Sequence, residues 1–444
     1  MAVTSVPRAP FTSPLAEGLA EGLLERFVRY ARVSTQSDRE GTTWPSTPRQ
    51  LDLSRLLVAE LREIGLTDVV LDDDGYVYGT LEAATPTAPD GTAWPVVGLI
   101  AHVDTSPDAP GEGVEPLVHR AYDGRTMALP KAGTTLDPEH MPELAGRVGH
   151  DLVTSSGDTL LGADDKAGVA EIVTALAHLA AHPELPRPTL RVCFTPDEEI
   201  GRGAHRFDVT GFGAVCAYTV DGSEPGELQD ETFTAAEAVV TIEGHDVHPG
   251  FATGKLVNAS RLAARIVAAL PPELTPEATS GRDGFVHVYE TTATAARAEI
   301  RAIVRDFDDA LLAQHADLLR SIVAEVAADE PRARLSVEVT PQYPNMREHI
   351  ARFPAVVTAA ERAIAGEGLT VVRTAIRGGT DGSQLSAMGL PTPNVFTGGH
   401  EYHSVREWAS LQEMAAAAAT VVRIAEAWTT DDLVAAAAAG HLPG

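Results

Sequence analysis

The chain has 444 residues, which is more than one domain of ordinary size holds, so we expect two domains. Hydrophobic residues make up 44% and charged residues 22% of it, which is typical of a packed globular protein and excludes a disordered or fibrous one. Acidic residues outnumber basic ones by 63 to 34, and the net charge of -29 argues against nucleic acid or anionic lipid as a partner.

The sequence carries no recognisable signal for export or membrane insertion. Met1 to Gly22 lacks a basic start followed by an apolar stretch, and no run approaches the roughly 18 apolar residues that cross a membrane. Cys193 and Cys216 lie in apolar runs typical of buried strands, so neither a disulfide framework nor a cysteine-based zinc site is expected. We therefore predict a soluble, cytoplasmic protein without a membrane partner.

Helical and strand patterns alternate through the first half of the chain. Three apolar runs lack polar alternation, as strands buried on both faces of a sheet do: Val96 to Ala101, Leu190 to Thr195 and Ala214 to Val220. This alternation predicts an α/β fold with a mainly parallel central sheet.

A second pattern interrupts the first. From about Thr234 to Thr340 the order is strand, helix, two strands, helix and strand, which is the ferredoxin-like unit. The α/β pattern then returns, with helices at Ala355 to Ala365 and near Leu411 to Ala425. We therefore predict one α/β domain in two parts, residues 1–232 and 344–444, around an inserted α+β domain at 233–343. Residues 1–22 are expected to form a flexible extension.

Functional groups gather at the carboxyl ends of strands in open α/β sheets. His102 and Asp104 follow the first apolar run, Glu198 and Glu199 the second, and Asp221 the third. Each of these features alone also has a structural explanation, as a polar pair, a solvated acidic turn or a turn aspartate before glycine. Their shared position makes them candidates for one site.

Two glycine-rich loops add to this set. A loop from Gly162 to Gly168 contains Asp164 and Asp165, and either aspartate could accept N–H bonds at the start of the next helix. A later loop carries His403. Together these segments supply two imidazoles and three carboxylates, a donor set that fits zinc, with manganese or cobalt as substitutes. The candidate ligands are His102, Asp164, Glu199, Asp221 and His403.

Several motifs are similar to those of a known family. They are His-Val-Asp at 102, Leu-Leu-Gly-Ala-Asp-Asp-Lys-Ala-Gly at 160, Pro-Asp-Glu-Glu at 196, Thr-Val-Asp-Gly at 219 and Arg-Gly-Gly-Thr-Asp-Gly at 377. They resemble the peptidase T family of zinc tripeptide aminopeptidases, within the dinuclear zinc exopeptidases and acylases. The resemblance spans roughly Leu24 to Trp428, and it implies a zinc-exopeptidase-like catalytic domain with an inserted lid and dimerisation domain.

The resemblance also implies a metal-binding role for each candidate ligand. Asp164 would bridge two zinc ions. His102 and Asp221 would complete one metal site, and Glu199 and His403 would complete the other.

The remaining roles follow from the same resemblance. Asp104 would orient His102, and Glu198 would be the general base that activates a metal-bridging water. His248 of the partner subunit would help to hold the scissile carbonyl oxygen in a homodimer. Arg377 would bind the terminal carboxylate of a short peptide, and about two or three residues at roughly 3.3–3.6 Å each would fit.

Two alternatives to a tripeptide aminopeptidase stay open. A dipeptidase, acylase or carboxypeptidase of the same fold would keep every ligand, although the motif at 160 and Arg377 argue against it. A non-catalytic peptide-binding homologue would have a damaged site, whereas Glu198 and all five candidate ligands are present. We therefore expect hydrolysis of the N-terminal peptide bond of tripeptides.

Overall fold

The computed structural model describes residues 6–440, which fold into two units. The first unit consists of residues 6–230, 348–374 and 380–440. The second unit consists of residues 231–347 and the short segment 375–379. No helix within residues 6–440 is long and apolar enough to span a membrane.

Helices make up much of the described chain. They are α1 (Pro14–Ala31), α2 (Gln50–Ile64), α3 (Pro142–Ala145), α4 (Ala163–Ala181), α5 (Val209–Phe212), α6 (Ala259–Ala269), α7 (Asp309–Asp329), α8 (Arg347–Ile350), α9 (Ala355–Gly366), α10 (Asp381–Ala387), α11 (Leu411–Ala427) and α12 (Asp431–Ala439).

Eighteen strands lie within residues 6–440. They are β1 (Thr67–Leu71), β2 (Val77–Leu81), β3 (Val96–His102), β4 (Leu117–His119), β5 (Met127–Ala128), β6 (Thr135–Leu136), β7 (Leu152–Thr154), β8 (Thr189–Thr195), β9 (Cys216–Val220), β10 (Glu227–Thr232), β11 (Thr234–Glu243), β12 (Phe285–Ala293), β13 (Arg297–Asp306), β14 (Arg334–Tyr343), β15 (Val372–Ile376), β16 (Asn394–Val395), β17 (Gly399–His400) and β18 (Trp408–Ser410).

The central sheet has eight strands in the order β1-β2-β8-β3-β9-β16-β10-β15. Its middle strands β8, β3, β9 and β16 are parallel, and in register His102 at the end of β3 lies opposite Thr195 at the end of β8. Parallel strands present their carboxyl ends at one edge of the sheet. The predicted α/β fold with a mainly parallel central sheet is therefore confirmed.

Two long helices of the first unit are buried over most of their length. In α11 the alanine run Ala415 to Ala419 is buried, and the helix packs against α1, α4 and α9. Small side chains allow this many helices to approach one another closely. Helix α4 packs against both α11 and strand β3, so its first turn lies near the carboxyl edge of the sheet.

Helix α1 includes residues 14–22, which were expected to belong to a flexible extension. It starts at Pro14, and its buried side chains include Ala16, Leu19 and Ala20, spaced as one face of a helix. Residues 14–22 are therefore helical, because this apolar stripe packs against α4 and α11. The segment before α1 also contacts the rest of the first unit, since the Ala9 N–H donates to the Gly149 carbonyl oxygen at 2.7 Å. Residues 1–5 lie outside the described chain.

The second unit contains a four-stranded antiparallel sheet in the order β12-β13-β11-β14. Helices α6 and α7 pack against this sheet, and Val240, Ile300 and Leu319 are among the residues of its apolar core. The elements follow one another along the chain as β-α-β-β-α-β, the ferredoxin-like arrangement.

Candidate metal centre

The carboxyl edge of the central sheet collects the polar residues that follow its parallel strands. His102 is the last residue of β3, and Asp221 directly follows β9. Glu198 and Glu199 lie in a short 3₁₀ turn, Glu198–Ile200, just after β8. The sheet register thus brings together side chains that are far apart in sequence.

Asp164 lies between two imidazoles. Its Oδ1 is 2.9 Å from Nε2 of His102, and its Oδ2 is 3.3 Å from Nε2 of His403. On one side, Oδ1 of Asp221 lies 3.7 Å from the same nitrogen of His102. On the other side, Oε2 of Glu199 lies 2.9 Å from the same nitrogen of His403. Each carboxylate oxygen of Asp164 therefore faces one histidine–carboxylate pair.

The cluster has the chemistry of a divalent metal site. Burial and repulsion from Asp164 raise the pKa of Glu199 to about 8 and that of Asp221 to about 6. Burial lowers the pKa of His403, but Asp164 and Glu199 outweigh it and raise that pKa to about 11. Oε1 of Glu199 is buried and has no hydrogen-bond partner among the described residues. Cations would offset the crowding of negative charge, and imidazole and carboxylate donors suit zinc and similar metals.

Asp104 connects the histidine to the acidic turn. Nδ1 of His102 lies 3.0 Å from the Asp104 carbonyl oxygen and 3.3 Å from its Oδ1. The same carboxylate accepts the backbone N–H groups of Glu198 at 3.0 Å and Glu199 at 3.2 Å. Asp104 can therefore orient the His102 ring and fix the position of the turn.

Glu198 has the environment of a proton acceptor. Burial raises its pKa well above the ordinary value, attraction from His102 acts to lower it, and repulsion from Asp381, Asp221 and Glu199 adds to the rise. A buried carboxyl group with a raised pKa has the character of a general acid–base catalyst.

The two adjacent aspartates after Gly162 differ in their bonding. Asp165 lies close enough to His102 and Asp221 to form a possible ligand group with them. However, its carboxylate accepts the backbone N–H groups of His102 and Gly168, each at 3.2 Å. Asp165 thus ties β3 to the start of α4, whereas the oxygens of Asp164 face the imidazoles.

Glu407 is a supporting residue that the sequence did not reveal. Its buried carboxylate accepts the backbone N–H groups of Leu161, Gly162 and Asp164 at 2.7, 2.8 and 3.0 Å. Burial raises its pKa to about 7 although these three donors lower it. It holds the glycine-bounded loop from a position 243 residues away from Asp164, and no local motif marks it.

Asp108 is a second supporting residue missing from the sequence prediction. Its Oδ2 lies 3.3 Å from Nδ1 of His403, and its Oδ1 accepts a bond from Nη1 of Arg39 at 2.8 Å. Burial acts to raise the pKa of Asp108, but Arg39 and His403 outweigh it and lower that pKa, so the carboxylate is ionised. Its position four residues after Asp104 was the one available signal.

Arg377, the predicted carboxylate-binding residue, belongs to the second unit. Its guanidinium donates to the carbonyl oxygens of Gly281 and Asp283, both at 2.9 Å, and to Oγ1 of Thr279 at 3.0 Å. The group also lies over the ring of Phe233 at 5.2 Å. These bonds use three of the five N–H donors of an arginine.

His248 also belongs to the second unit and lies on its surface. Its Nδ1 accepts the backbone N–H of Gly250 at 3.2 Å, and its ring is 5.5 Å from that of Phe251. Phe251 is 71% exposed, which is unusual for a large apolar side chain. The loop therefore presents an imidazole and an aromatic ring to solvent.

A two-unit α/β fold with paired histidine and carboxylate donors at the sheet edge is an arrangement of dinuclear metallopeptidases. Residues 161–427 match the model of Peptidase family M20/M25/M40, and the chain belongs to that family. Two similar proteins are named peptidase T: one from Geobacillus kaustophilus is 46% identical over 91% of this chain and 98% of its own length. Another, from Bacillus subtilis, is 44% identical over 92% of this chain and 98% of its own length.

Two solved structures have a fold similar to that of this chain. Aminopeptidase PepT from Bacillus cereus aligns with a TM-score of 0.70 at 23% identity, covering 93% of this chain and 99% of its own. A tripeptidase from Staphylococcus aureus aligns with a TM-score of 0.72 at 19% identity, and the alignment covers 92% of this chain and 98% of the tripeptidase. The predicted resemblance is confirmed, and the chain is a hydrolase of the metallo-aminopeptidase type.

Proposed function

We propose that this protein removes the N-terminal residue from tripeptides and uses two zinc ions held by the cluster around Asp164. The observation that carries this proposal is the placement of one Asp164 oxygen toward each histidine–carboxylate pair. The peptidase T relatives, which match along nearly their whole length, support the substrate class.

The geometry suggests how the ligands divide between the two ions. His102 and Asp221 would hold one ion, His403 and Glu199 the other, and Asp164 would bridge them. Manganese and cobalt are possible substitutes because they accept the same nitrogen and oxygen donors. When bound, such ions polarise a carbonyl group and lower the pKa of a coordinated water molecule.

The protein itself supplies the proton transfers. Glu198 would take a proton from the attacking water as the oxygen bonds to the peptide carbon. It would then give that proton to the leaving amine as the C–N bond breaks. The backbone N–H of Glu198 donates to the Asp104 carboxylate. This hydrogen bond fixes the backbone position from which the Glu198 side chain extends.

Residues 233–343 would form a lid and a dimerisation domain. Arg377 would bind the terminal carboxylate of the peptide with the donors that residues 279–283 leave free, and this would limit the substrate to about two or three residues. His248 of the partner subunit would hold the scissile carbonyl oxygen. Its surface position beside exposed Phe251 supports a contact with a second copy. We accordingly propose a cytoplasmic homodimer that acts on short peptides.

Turnover of a matched peptide panel tests this function. The panel contains one tripeptide with a free N-terminus, the same tripeptide N-acetylated, and the related dipeptide and tetrapeptide, all with zinc-loaded protein. We expect the fastest release of the first residue from the free tripeptide, slower cleavage of the dipeptide, and little cleavage of the N-acetylated tripeptide and the tetrapeptide. Faster cleavage of the N-acetylated peptide would identify an acylase or carboxypeptidase instead. Preference for the dipeptide would identify a dipeptidase.

A further inference from the structure

The two histidines of the cluster are held in different ways. The side chain of His102 is 2% exposed, and Asp104, two residues away, lies against its Nδ1. The side chain of His403 is 41% exposed and lies in a loop where its own φ is 59°. Packing therefore restrains His102 strongly and His403 much less, so the orientation of His403 needs another restraint.

Asp108 is placed to supply that restraint. Its Oδ2 lies 3.3 Å from Nδ1 of His403, while Nε2 of the same ring points to Glu199 at 2.9 Å and to Asp164 at 3.3 Å. One ring nitrogen therefore faces the cluster, and the other faces a carboxylate outside it. A carboxylate that accepts the second N–H of a metal-binding histidine fixes its tautomer and makes it a better ligand.

The turn that carries Asp108 is itself fixed. Nε2 of Gln36 donates to the carbonyl oxygens of Ser106 at 2.9 Å and Ala109 at 2.7 Å, one on each side of Asp108. Oγ of Ser106 accepts the Asp108 N–H at 3.3 Å. Arg39 then binds the second carboxylate oxygen at 2.8 Å. Hydrogen bonds to the backbone of the turn and the ion pair with Arg39 thus hold the Asp108 carboxylate in place.

We propose that Asp108 is the positioning residue of His403 and strengthens zinc binding at the site formed by His403 and Glu199. Arg39 assists by orienting the carboxylate, but its effect is smaller because the Arg39–Asp108 pair is about half exposed to solvent. This inference rests on the proposed metal centre and assigns to it a supporting residue.

Zinc affinity tests this role without depending on turnover. The two zinc dissociation constants are measured by competition with a chromogenic chelator for the unsubstituted protein and for Asp108→Ala. We expect one constant to rise about 10- to 100-fold and the other to stay unchanged. Arg39→Ala should raise the same constant only about two- to five-fold. Glu112→Ala and Arg49→Ala are matched controls, since they remove exposed charges of the same region that do not contact Asp108.

His403→Ala separates this inference from the proposed centre. It should abolish tight binding of one zinc ion, and retention of both would show that the centre itself is wrongly assigned. If His403→Ala loses that zinc but both constants of Asp108→Ala stay within twofold of the unsubstituted protein, the role of Asp108 is refuted. Should circular dichroism show that Asp108→Ala is unfolded, Asp108→Asn is measured instead. Its shape is retained, a several-fold rise in the same constant is expected, and unchanged constants refute the role.

Discussion

The carboxylate of Asp104 accepts the backbone N–H groups of Glu198 and Glu199 while lying 3.3 Å from Nδ1 of His102. One fully buried side chain therefore connects the histidine at the end of β3 with the turn after β8. The position of the proposed base and the orientation of a proposed ligand depend on the same group.

Asp104→Ala should consequently impair catalysis, zinc binding and stability together. It leaves two backbone N–H groups without their acceptor, which costs about 1–3 kcal/mol for each group that stays buried. We expect turnover to fall at least about 100-fold. The proposed site formed by His102 and Asp221 should bind zinc about 10- to 100-fold more weakly. The measurements are kcat/KM, zinc affinity and the melting temperature. Normal zinc affinity in a folded variant would contradict the orienting role.

Glu198→Gln should separate catalysis from metal binding. The amide keeps the shape of the side chain but cannot accept the proton, so kcat should fall about 10²- to 10⁴-fold while two zinc ions remain bound. Glu199→Gln is the matched control, because it changes the adjacent residue and should weaken one zinc site. Steady-state kinetics and zinc content are measured on both variants. Unaltered turnover of Glu198→Gln would exclude it as the base.

Gly168 is required by the close approach of α4 to the end of β9. A Cβ atom at this position would overlap the Val220 carbonyl oxygen and Oδ1 of Asp165. Gly168→Ala should therefore destabilise the protein by about 1–3 kcal/mol and lower zinc affinity, because Asp221 follows Val220 directly. Gly18→Ala in α1 is the control, since nothing lies within 4 Å of its new methyl group and a gain of about 0.5–1 kcal/mol is expected. Thermal melts rank the two variants, and equal melting temperatures would contradict the prediction.

Glu171→Gln should stabilise the protein more at pH 8 than at pH 5. Glu171 is fully buried in α4, and its carboxyl oxygens have no partner among residues 6–440. Burial raises its pKa in the folded state well above the ordinary value. The folded protein therefore keeps a proton that the unfolded chain releases above a pH of about 4.3, so stability falls as the pH rises from there towards the folded-state pKa. Glutamine has no such proton, and melting temperatures at both pH values measure the difference. A gain that is equal at both pH values would refute this account.

The sequence predicted best those features whose signals are local. Long apolar runs predict β3, β8 and β9, and the residue after each run is a candidate for the carboxyl edge. His102 and Asp221 could be placed at the ends of their strands in this way. Residues 14–22 were expected to belong to a flexible extension, whereas Pro14 is the first residue of α1, a position to which proline is well suited.

The supporting residues could not be predicted because their signals are not local. Asp108 and His403 are 295 residues apart, and each lies in a polar turn that alone has an ordinary explanation. Glu407 likewise binds backbone N–H groups, which leave no trace in the type of residue that donates them. Only the folded chain shows which carboxylates hold a loop and which face the imidazoles.

The distribution of the proposed ligands along the chain also orders events during synthesis. His102 is made before the second unit and His403 after it. At about 5–20 residues per second, roughly 15 to 60 s separate the two imidazoles. Helix α1 is made earlier than His102, and α11, against which it packs, is made later than His403, so this pair of helices is separated by a longer interval. A nascent chain on the ribosome therefore lacks one of the two proposed histidine ligands until His403 has been made.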